Sequence, residues 1–137
     1  MAQQSGAEGM RQLLAAANPP DGVFGAGDYC ALGAMQEARR QGLRVPQDVA
    51  ICGFSNETFT VVTEPTITTI DQRCEEMGQA AVRLLLEVIE ANGSAYTPRQ
   101  VVLRPELVVR GSSTRLPGTN LGSVPVQTVA ATDSADA

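Results

Sequence analysis

Apolar and polar residues at positions 23–54 follow the pattern of a strand, a helix and a second strand. The apolar run at 23–26 is too short for a helix and lies between Asp-Gly and Gly-Asp pairs, which predicts a buried strand. Asp28 is the predicted cap of an amphipathic helix, and the continuous apolar run at 49–54 predicts the second strand. Such a unit forms a right-handed parallel crossover, and ligands of these sheets bind beyond the carboxyl ends of the strands.

The rest of the chain continues this alternation of helices and strands. Residues 3–18 and 74–92 place apolar side chains at helical spacing, and residues 66–70 alternate β-branched side chains with the period of a strand. Residues 101–109 predict a strand interrupted at Pro105, which favours a sheet edge or a bulge. The order of elements predicts the α/β class, with a parallel sheet covered by helices in a three-layer arrangement.

Composition narrows the chemistry that is open to this chain of 137 residues. Its 10 basic residues are all Arg. The absence of Lys and His excludes a P-loop lysine, a Schiff-base lysine, a histidine base and every histidine metal ligand. The net charge of −5 argues against a nucleic-acid surface on this chain. We therefore expect no catalytic residue, no metal and no cofactor.

The cysteines and the hydropathy of the chain bear on its compartment. Cys30, Cys52 and Cys74 lie far apart without metal-binding or redox spacing, so we expect small packing side chains. No apolar run reaches membrane-spanning length, and the polar start of the sequence lacks a basic-then-apolar leader. An odd number of cysteines fits a reducing compartment, and together these features predict a cytoplasmic protein.

Short motifs follow one another in a fixed order over residues 5–114. They are Pro-Asp-Gly-Val-Phe at 20–24, Gly-Asp at 27–28, Ala-Leu-Gly-Ala at 31–34, Gly-Leu-Arg-Val-Pro-Gln-Asp-Val at 42–49, Gly-Phe at 53–54, Pro65, Thr-Thr-Ile at 68–70, Gln72, Met-Gly at 77–78, Ala81, Glu-Leu-Val-Val-Arg at 106–110 and Ser-Thr at 113–114. Their succession resembles the LacI/GalR family of bacterial transcription regulators. In that family a helix-turn-helix headpiece precedes a periplasmic-binding-protein-like pair of α/β subdomains around an effector cleft.

The resemblance implies that this chain is the carboxyl-terminal part of such a core, so we expect an incomplete periplasmic-binding-protein-like subdomain. Residues 1–73 would form part of the carboxyl-terminal effector-binding subdomain, and residues 94–114 would be returning strands. The helix at 74–93 would pack in the missing amino-terminal subdomain, so its apolar stripe would lack cover and make the isolated chain self-associate, repack or dissolve poorly. Gly, Ser, Thr, Pro and Ala without periodicity predict a disordered tail at 115–137.

The resemblance to the LacI/GalR family also implies an effector site. In the family, an Asn before the capping Asp, the first Asp of a Gly-aromatic-Asp-Asp loop and side chains after the Thr-Thr strand grip the effector. The matching positions here are Gly27, Ser55 and Gln72. Losing the Asn and the Asp disfavours a simple pyranose and favours a bulkier or acidic sugar-derived effector. With Asp28 and Asn56 they form the expected ligand-binding set, whose alternatives are a helix cap for Asp28 and turn formation for Ser55, Asn56 and Gln72.

The resemblance further implies a homodimer face. Leu32 and Met35 on the first crossover helix, with Phe59 and Val62 before Pro65, would form a self-complementary apolar patch. The alternative for these residues is ordinary core.

The preferred interpretation is a non-enzymatic effector-binding and dimerisation fragment of a LacI/GalR-type regulator that lacks the headpiece. In the intact protein a small molecule would control operator binding, and this chain would reach DNA only through that headpiece and would contact no membrane. Two alternatives stay open. One is a fragment of a periplasmic sugar-binding protein, and the other is a small α/β enzyme that uses carboxylates such as Asp28 and Glu57. A dinucleotide site at 25–28 is disfavoured because the third glycine is missing.

Overall fold

The computed structural model describes residues 2–91 and 97–115. The elements, in chain order, are α1 (Ala2–Leu14), β1 (Gly22–Phe24), α2 (Asp28–Arg40), β2 (Ala50–Phe54), a short 3-10 turn (Thr58–Val61), β3 (Thr68–Asp71), α3 (Cys74–Glu90) and β4 (Glu106–Val108). Of the predicted tail at 115–137, only Arg115 lies within the described residues. None of the described helices is long and apolar enough to cross a membrane.

The strands form one sheet in the order β1-β2-β3-β4. β1 pairs with β2 and β2 pairs with β3 in parallel, while β4 runs antiparallel to β3 at the edge of the sheet. The predicted α/β class is therefore confirmed, and the predicted parallel sheet holds for β1, β2 and β3, whereas β4 is an antiparallel edge strand. The edge position of β4 also agrees with the prediction from Pro105, which immediately precedes this strand, because proline in sheets is found mainly at edge strands and bulges.

The core lies between the sheet and α2, with α1 packed on α2. Ile51 and Ile67 contribute from the sheet side, Met10 from α1, and a row of small alanines from α2 allows close approach of the helix. The fully or nearly fully buried apolar side chains are Met10, Ala31, Ala34, Met35, Ala38, Val49, Ile51 and Ile67.

Three sequence-based predictions about local structure are wrong. The first helix ends at Leu14 rather than at residue 18, and residues 101–103 form no strand. Asp28 does not cap α2, because Gly27 occupies the cap position without a side-chain bond and Asp28 is the first helical residue. Its carboxylate turns into the interior and accepts hydrogen bonds from other elements.

Close contact between α1 and α2 depends on two glycines. A Cβ atom on Gly6 would lie under 3.0 Å from the backbone of Cys30, and one on Gly33 would lie under 3.0 Å from the backbone of Gln3. The backbone of each helix therefore occupies the space that a side chain on the other helix would need. Gly9, on the same helix as Gly6, has no such neighbour within 4 Å.

We predict opposite effects for two Gly→Ala substitutions in α1. Gly6→Ala should destabilise the protein by about 1 to 3 kcal/mol because the helices must separate. Gly9→Ala should stabilise it by about 0.5 to 1 kcal/mol because alanine loses less backbone entropy in a helix. Urea denaturation of both variants measures the difference, and equal effects would show that α1 does not pack closely on α2.

The third helix stands apart from this core. No residue of α3 is buried, even on its apolar stripe. Leu85 and Ile89, which belong to this stripe, are 58% and 60% exposed. Residues 101–105 run beside α3 without regular structure and leave an open apolar groove of about 460 Å³. A stripe of this kind is stable only when another apolar surface covers it, since each exposed leucine or valine forfeits about 1.5 to 3 kcal/mol of burial.

We predict that the chain self-associates through α3. The double substitution Leu85→Gln with Ile89→Gln should shift the sedimentation profile towards monomer and leave the unfolding free energy within about 1 kcal/mol, because both side chains are exposed in the folded chain. Glu90→Gln on the same helix is the matched control and should leave association unchanged. Association that persists at the wild-type level in the double variant would contradict the prediction.

Candidate functional site

Three loops meet at the carboxyl ends of the parallel strands. β1 is followed by Gly25, Ala26 and Gly27, β2 by Ser55 and Asn56, and β3 by Gln72. Parallel pairing brings the carboxyl ends of β1, β2 and β3 to one edge of the sheet, where ligands of open α/β sheets bind. We call this edge the candidate site.

A buried carboxylate ties the start of α2 to the loop after β2 and to β3. Asp28 is 1% exposed, and its Oδ2 accepts a hydrogen bond of 2.7 Å from the backbone N–H of Glu57. Its Oδ1 accepts a bond of 2.6 Å from the hydroxyl of Thr69 on β3, and Thr69 Oγ1 in turn accepts the backbone N–H of Asn56 at 3.2 Å. Both carboxylate oxygens of Asp28 are therefore engaged by the chain itself, and they hold the loop after β2 and strand β3 against the start of α2.

Gly53 makes room for this carboxylate. A Cβ atom at position 53 of β2 would lie under 3.0 Å from Oδ1 of Asp28 and would also crowd Ala31. The start of α2 can therefore approach β2 only where the strand carries no side chain. Gly53 is a motif residue in the sequence, and the signal for this contact is its position inside an apolar strand.

Ser55 and Gln72 come together at the edge of the sheet. Gln72 Nε2 donates to Ser55 Oγ at 3.4 Å, a long bond between two partly exposed side chains. Ser55 has a φ of 111°, which strains a non-glycine residue, and such strain is concentrated at functional sites. Gly27, at the start of α2, has open space where a side chain would stand. These three positions offer a hydroxyl, an amide and backbone groups to a polar ligand.

Asn56 is positioned differently from Ser55. Its side-chain oxygen accepts a bond of 2.7 Å from Arg110, and its side-chain nitrogen donates to Asp71 at 3.0 Å. The hydrogen bond from the backbone N–H of Arg73, followed in importance by the one from Asn56, lowers the pKa of Asp71 from its ordinary value. Asn56 thus connects two charged neighbours, Arg110 and Asp71, and neither was predicted from the sequence as its partner.

The apolar groove along α3 opens next to Gln72. Phe54 and Gln72 form its end at the sheet, and α3 and the 101–105 segment form its walls. The groove is apolar except near Gln72, so a ligand there would meet a polar group at one end and hydrocarbon along its length.

The predicted dimer-face residues differ in exposure. Met35 is 3% exposed and belongs to the core, so it offers no surface to a second chain. Leu32 and Phe59 are partly buried against the core, and the Phe59 ring lies 4.6 Å from the ring of Tyr29. Val62, at 80%, is the most exposed of the four residues.

The cysteines and carboxylates of the described residues form no group of three or more that could hold a metal ion. Cys30 and Cys52 are partly buried, as expected for packing side chains, but Cys74 is exposed at the start of α3. Burial, with a smaller contribution from the charge of Asp28, raises the pKa of the Cys52 thiol.

Similarity to known proteins shows the family to which this fold belongs. Residues 1–113 match the model of the periplasmic binding protein-like domain, and the chain therefore belongs to that family. Within it, the relatives are regulators of the LacI type, which confirms the resemblance found in the motifs. Their names are those of transcription regulators and not of enzymes, in agreement with the expected non-enzymatic function.

Particular relatives show how far the similarity extends. The chain is 40% identical over 114 residues to the HTH-type transcriptional repressor CytR of Escherichia coli strain K12, covering 83% of this chain and 33% of that protein. It is 46% identical over 96 residues to the HTH-type transcriptional regulator MalR of Streptomyces coelicolor, covering 70% of this chain and 27% of that protein. The chain thus spans about a third of the length of the curated relatives it matches.

Solved structures agree with the sequence relatives. A complex of the transcriptional regulator CelR with cellobiose superposes with a TM-score of 0.75 at 39% identity, covering 81% of this chain and 33% of that one. A LacI family transcriptional regulator from Enterococcus faecium with bound ribose superposes with a TM-score of 0.69 at 29% identity, covering 81% of this chain and 40% of that one.

We predict that the sheet tolerates an added side chain at Gly22 of β1 but not at Gly53 of β2. Gly53→Ala should destabilise the protein by about 1 to 3 kcal/mol, because the new methyl group displaces the Asp28 carboxylate. Gly22→Ala is the matched control, since a Cβ atom there meets nothing within 4 Å. Thermal melting of both variants measures this difference, and a Gly53→Ala variant as stable as Gly22→Ala would contradict the buried contact.

Proposed function

We propose that this chain is the effector-binding and dimerisation part of a LacI/GalR-type transcriptional regulator, in which a small molecule controls operator binding. The observation that supports this most strongly is the pairing of Ser55 with Gln72 at the carboxyl ends of two parallel strands. Ligands of such sheets bind at this edge. The LacI-type relatives favour a regulator over a periplasmic binding protein or an enzyme.

The ligand-binding set of the proposal divides into contact and support residues. Gly27, Ser55 and Gln72 would contact the effector. Asp28 and Asn56, whose side chains are engaged within the protein, would hold those positions in place. A serine hydroxyl and a glutamine amide can each donate and accept hydrogen bonds, which suits the hydroxyl groups of a sugar. Complexes with cellobiose and with ribose among the structural relatives support a sugar or sugar-derived effector, and acidic derivatives belong to this class.

The remaining parts of the chain have distinct roles in the proposal. Residues 1–73 form part of one effector-binding subdomain, residues 74–93 pack against a second subdomain, and residues 94–114 return from it. The uncovered apolar stripe of α3 supports this division. The homodimer face uses Leu32, Phe59 and the exposed Val62. Operator contact belongs to a separate headpiece, because this chain has a net charge of −5.

Binding of sugars to the 137-residue chain tests the proposal. Saturation-transfer NMR observes the ligand, so it tolerates self-association of the protein, and cellobiose, ribose and gluconate sample neutral and acidic sugars. At least one should bind with millimolar affinity, since one subdomain supplies only part of the contacts. The variant Ser55→Ala with Gln72→Ala should weaken that binding about tenfold or more, because each lost hydrogen bond is worth about 1 kcal/mol.

A matched control distinguishes the site from nonspecific binding. Gln4→Ala removes an exposed glutamine amide on α1, away from the candidate site, and should leave the affinity unchanged. Equal losses in the control and in the double variant, or no binding of any of the sugars, would contradict the assignment of the effector site.

A further inference from the structure

Two connections of the chain lie side by side at the candidate site. The chain leaves the sheet after β3 through Gln72 and Arg73 to α3, and it returns through β4. β4 pairs with β3 in the register Asp71 with Glu106, so the last residue of β3 and the first residue of β4 are opposite each other. In the proposed function these connections are the links to the second subdomain.

The guanidinium group of Arg110 lies just beyond β4 and is held by buried neighbours. Its Nη1 donates to the hydroxyl of Thr60 at 2.8 Å and to the carbonyl oxygen of Ile67 at 2.9 Å. Thr60 and Ile67 are both fully buried. These bonds fix the orientation of the guanidinium group and direct its Nη2 to the side-chain oxygen of Asn56 at 2.7 Å.

Asn56 links Arg110 to the connection between β3 and α3. With its oxygen facing the cation of Arg110, its side-chain nitrogen faces Oδ2 of Asp71 at 3.0 Å, as the opposite charges require. The second oxygen of Asp71 accepts the backbone N–H of Arg73 at 2.7 Å. Asn56 and Arg73 have φ values of 54° and 56°, left-handed conformations that need support from their surroundings. The series Arg110, Asn56, Asp71, Arg73 is called the relay below.

The relay brackets both side chains that would contact the effector. Ser55 immediately precedes Asn56, and Gln72 lies between Asp71 and Arg73. Fixing the backbone at Asn56 and at Arg73 therefore sets the direction of the Ser55 hydroxyl and the Gln72 amide. None of the relay side chains needs to touch the ligand for this effect.

We propose that Arg110 is a positioning residue for the candidate site, which acts through Asn56 and Asp71 to hold Ser55 and Gln72 together and to couple the returning connection to the outgoing one. The consequence for effector binding rests on the proposed function. The coupling between Arg110 and the backbone of Arg73 does not, and it can be measured without any ligand.

Amide hydrogen exchange of the full 137-residue chain tests the coupling. In Arg110→Gln, exchange of the Arg73 N–H should accelerate about tenfold relative to the Ile51 N–H, the change expected when a supporting hydrogen bond is lost. Ile51 is a suitable reference because its amide donates to Ser112 in the core and reports general loss of stability. Arg104→Gln is the matched control, since Arg104 is an exposed arginine on the same returning segment, and it should leave this ratio unchanged.

Swapping the amide at position 56 with the carboxylate at position 71 provides a test that does not require substitution of Arg110. Asn56→Asp places two carboxylates beside each other and should raise the pKa of Asp71 and speed exchange at Arg73. Adding Asp71→Asn should restore slow exchange, because the amide introduced at position 71 can donate to the carboxylate introduced at position 56 and still accept the Arg73 N–H. An aspartate also tolerates the left-handed conformation at position 56.

The outcomes separate this inference from the proposed function. An unchanged Arg73 to Ile51 ratio in Arg110→Gln, or a double variant no slower in exchange than Asn56→Asp alone, would overturn the relay. If Arg110→Gln fails to fold, the pair of variants at positions 56 and 71 decides the question. A chain that shows the relay but binds none of the sugars would retain the positioning role of Arg110 and would contradict only the effector assignment.

Discussion

The carboxylate of Asp28 is the interaction on which the candidate site depends. It is buried at the start of α2 and accepts one hydrogen bond from the loop after β2 and one from Thr69 on β3. A buried carboxylate is tolerated only when its oxygens are engaged, so these partners cannot move without a large cost. Gly53 is required in turn because only a strand without a side chain leaves room for this group.

The candidate site combines a hydrogen-bonded interior with an uncovered apolar surface along α3. Asp28 supports the site from the buried start of α2. The relay from Arg110 supports it where the chain leaves β3 and returns through β4. α3, by contrast, buries none of its residues against the rest of the described chain. In the proposed function this contrast corresponds to a half-site whose polar residues are preorganised and whose apolar surface another subdomain would complete when a small molecule closes the two.

Sequence periodicity and motif order predicted most of the architecture. They predicted the parallel strands, the helices and the apolar stripe at 74–92, because each depends on local spacing of apolar residues. The lack of cover over this stripe followed from the family resemblance and not from spacing. The meeting of Ser55 with Gln72 also followed, because parallel strands align their carboxyl ends. The roles of Asp28 and Arg110 could not be predicted, since their partners lie far away in sequence: Thr69 is 41 residues from Asp28, and Asn56 is 54 residues from Arg110. Met35 was assigned to a dimer face although it is buried in the core.

A double-mutant cycle between Asp28 and Thr69 tests the central claim most directly. Asp28→Ala, Thr69→Val and the double variant should show a coupling energy of about 1 to 2 kcal/mol in urea denaturation, because each single change removes the same buried hydrogen bond. Asp28→Ala combined with Thr63→Val, a threonine that bonds only locally to Thr60, should be additive. Additive effects for Asp28 and Thr69 would show that the carboxylate does not join α2 to β3 and would contradict the account of the site.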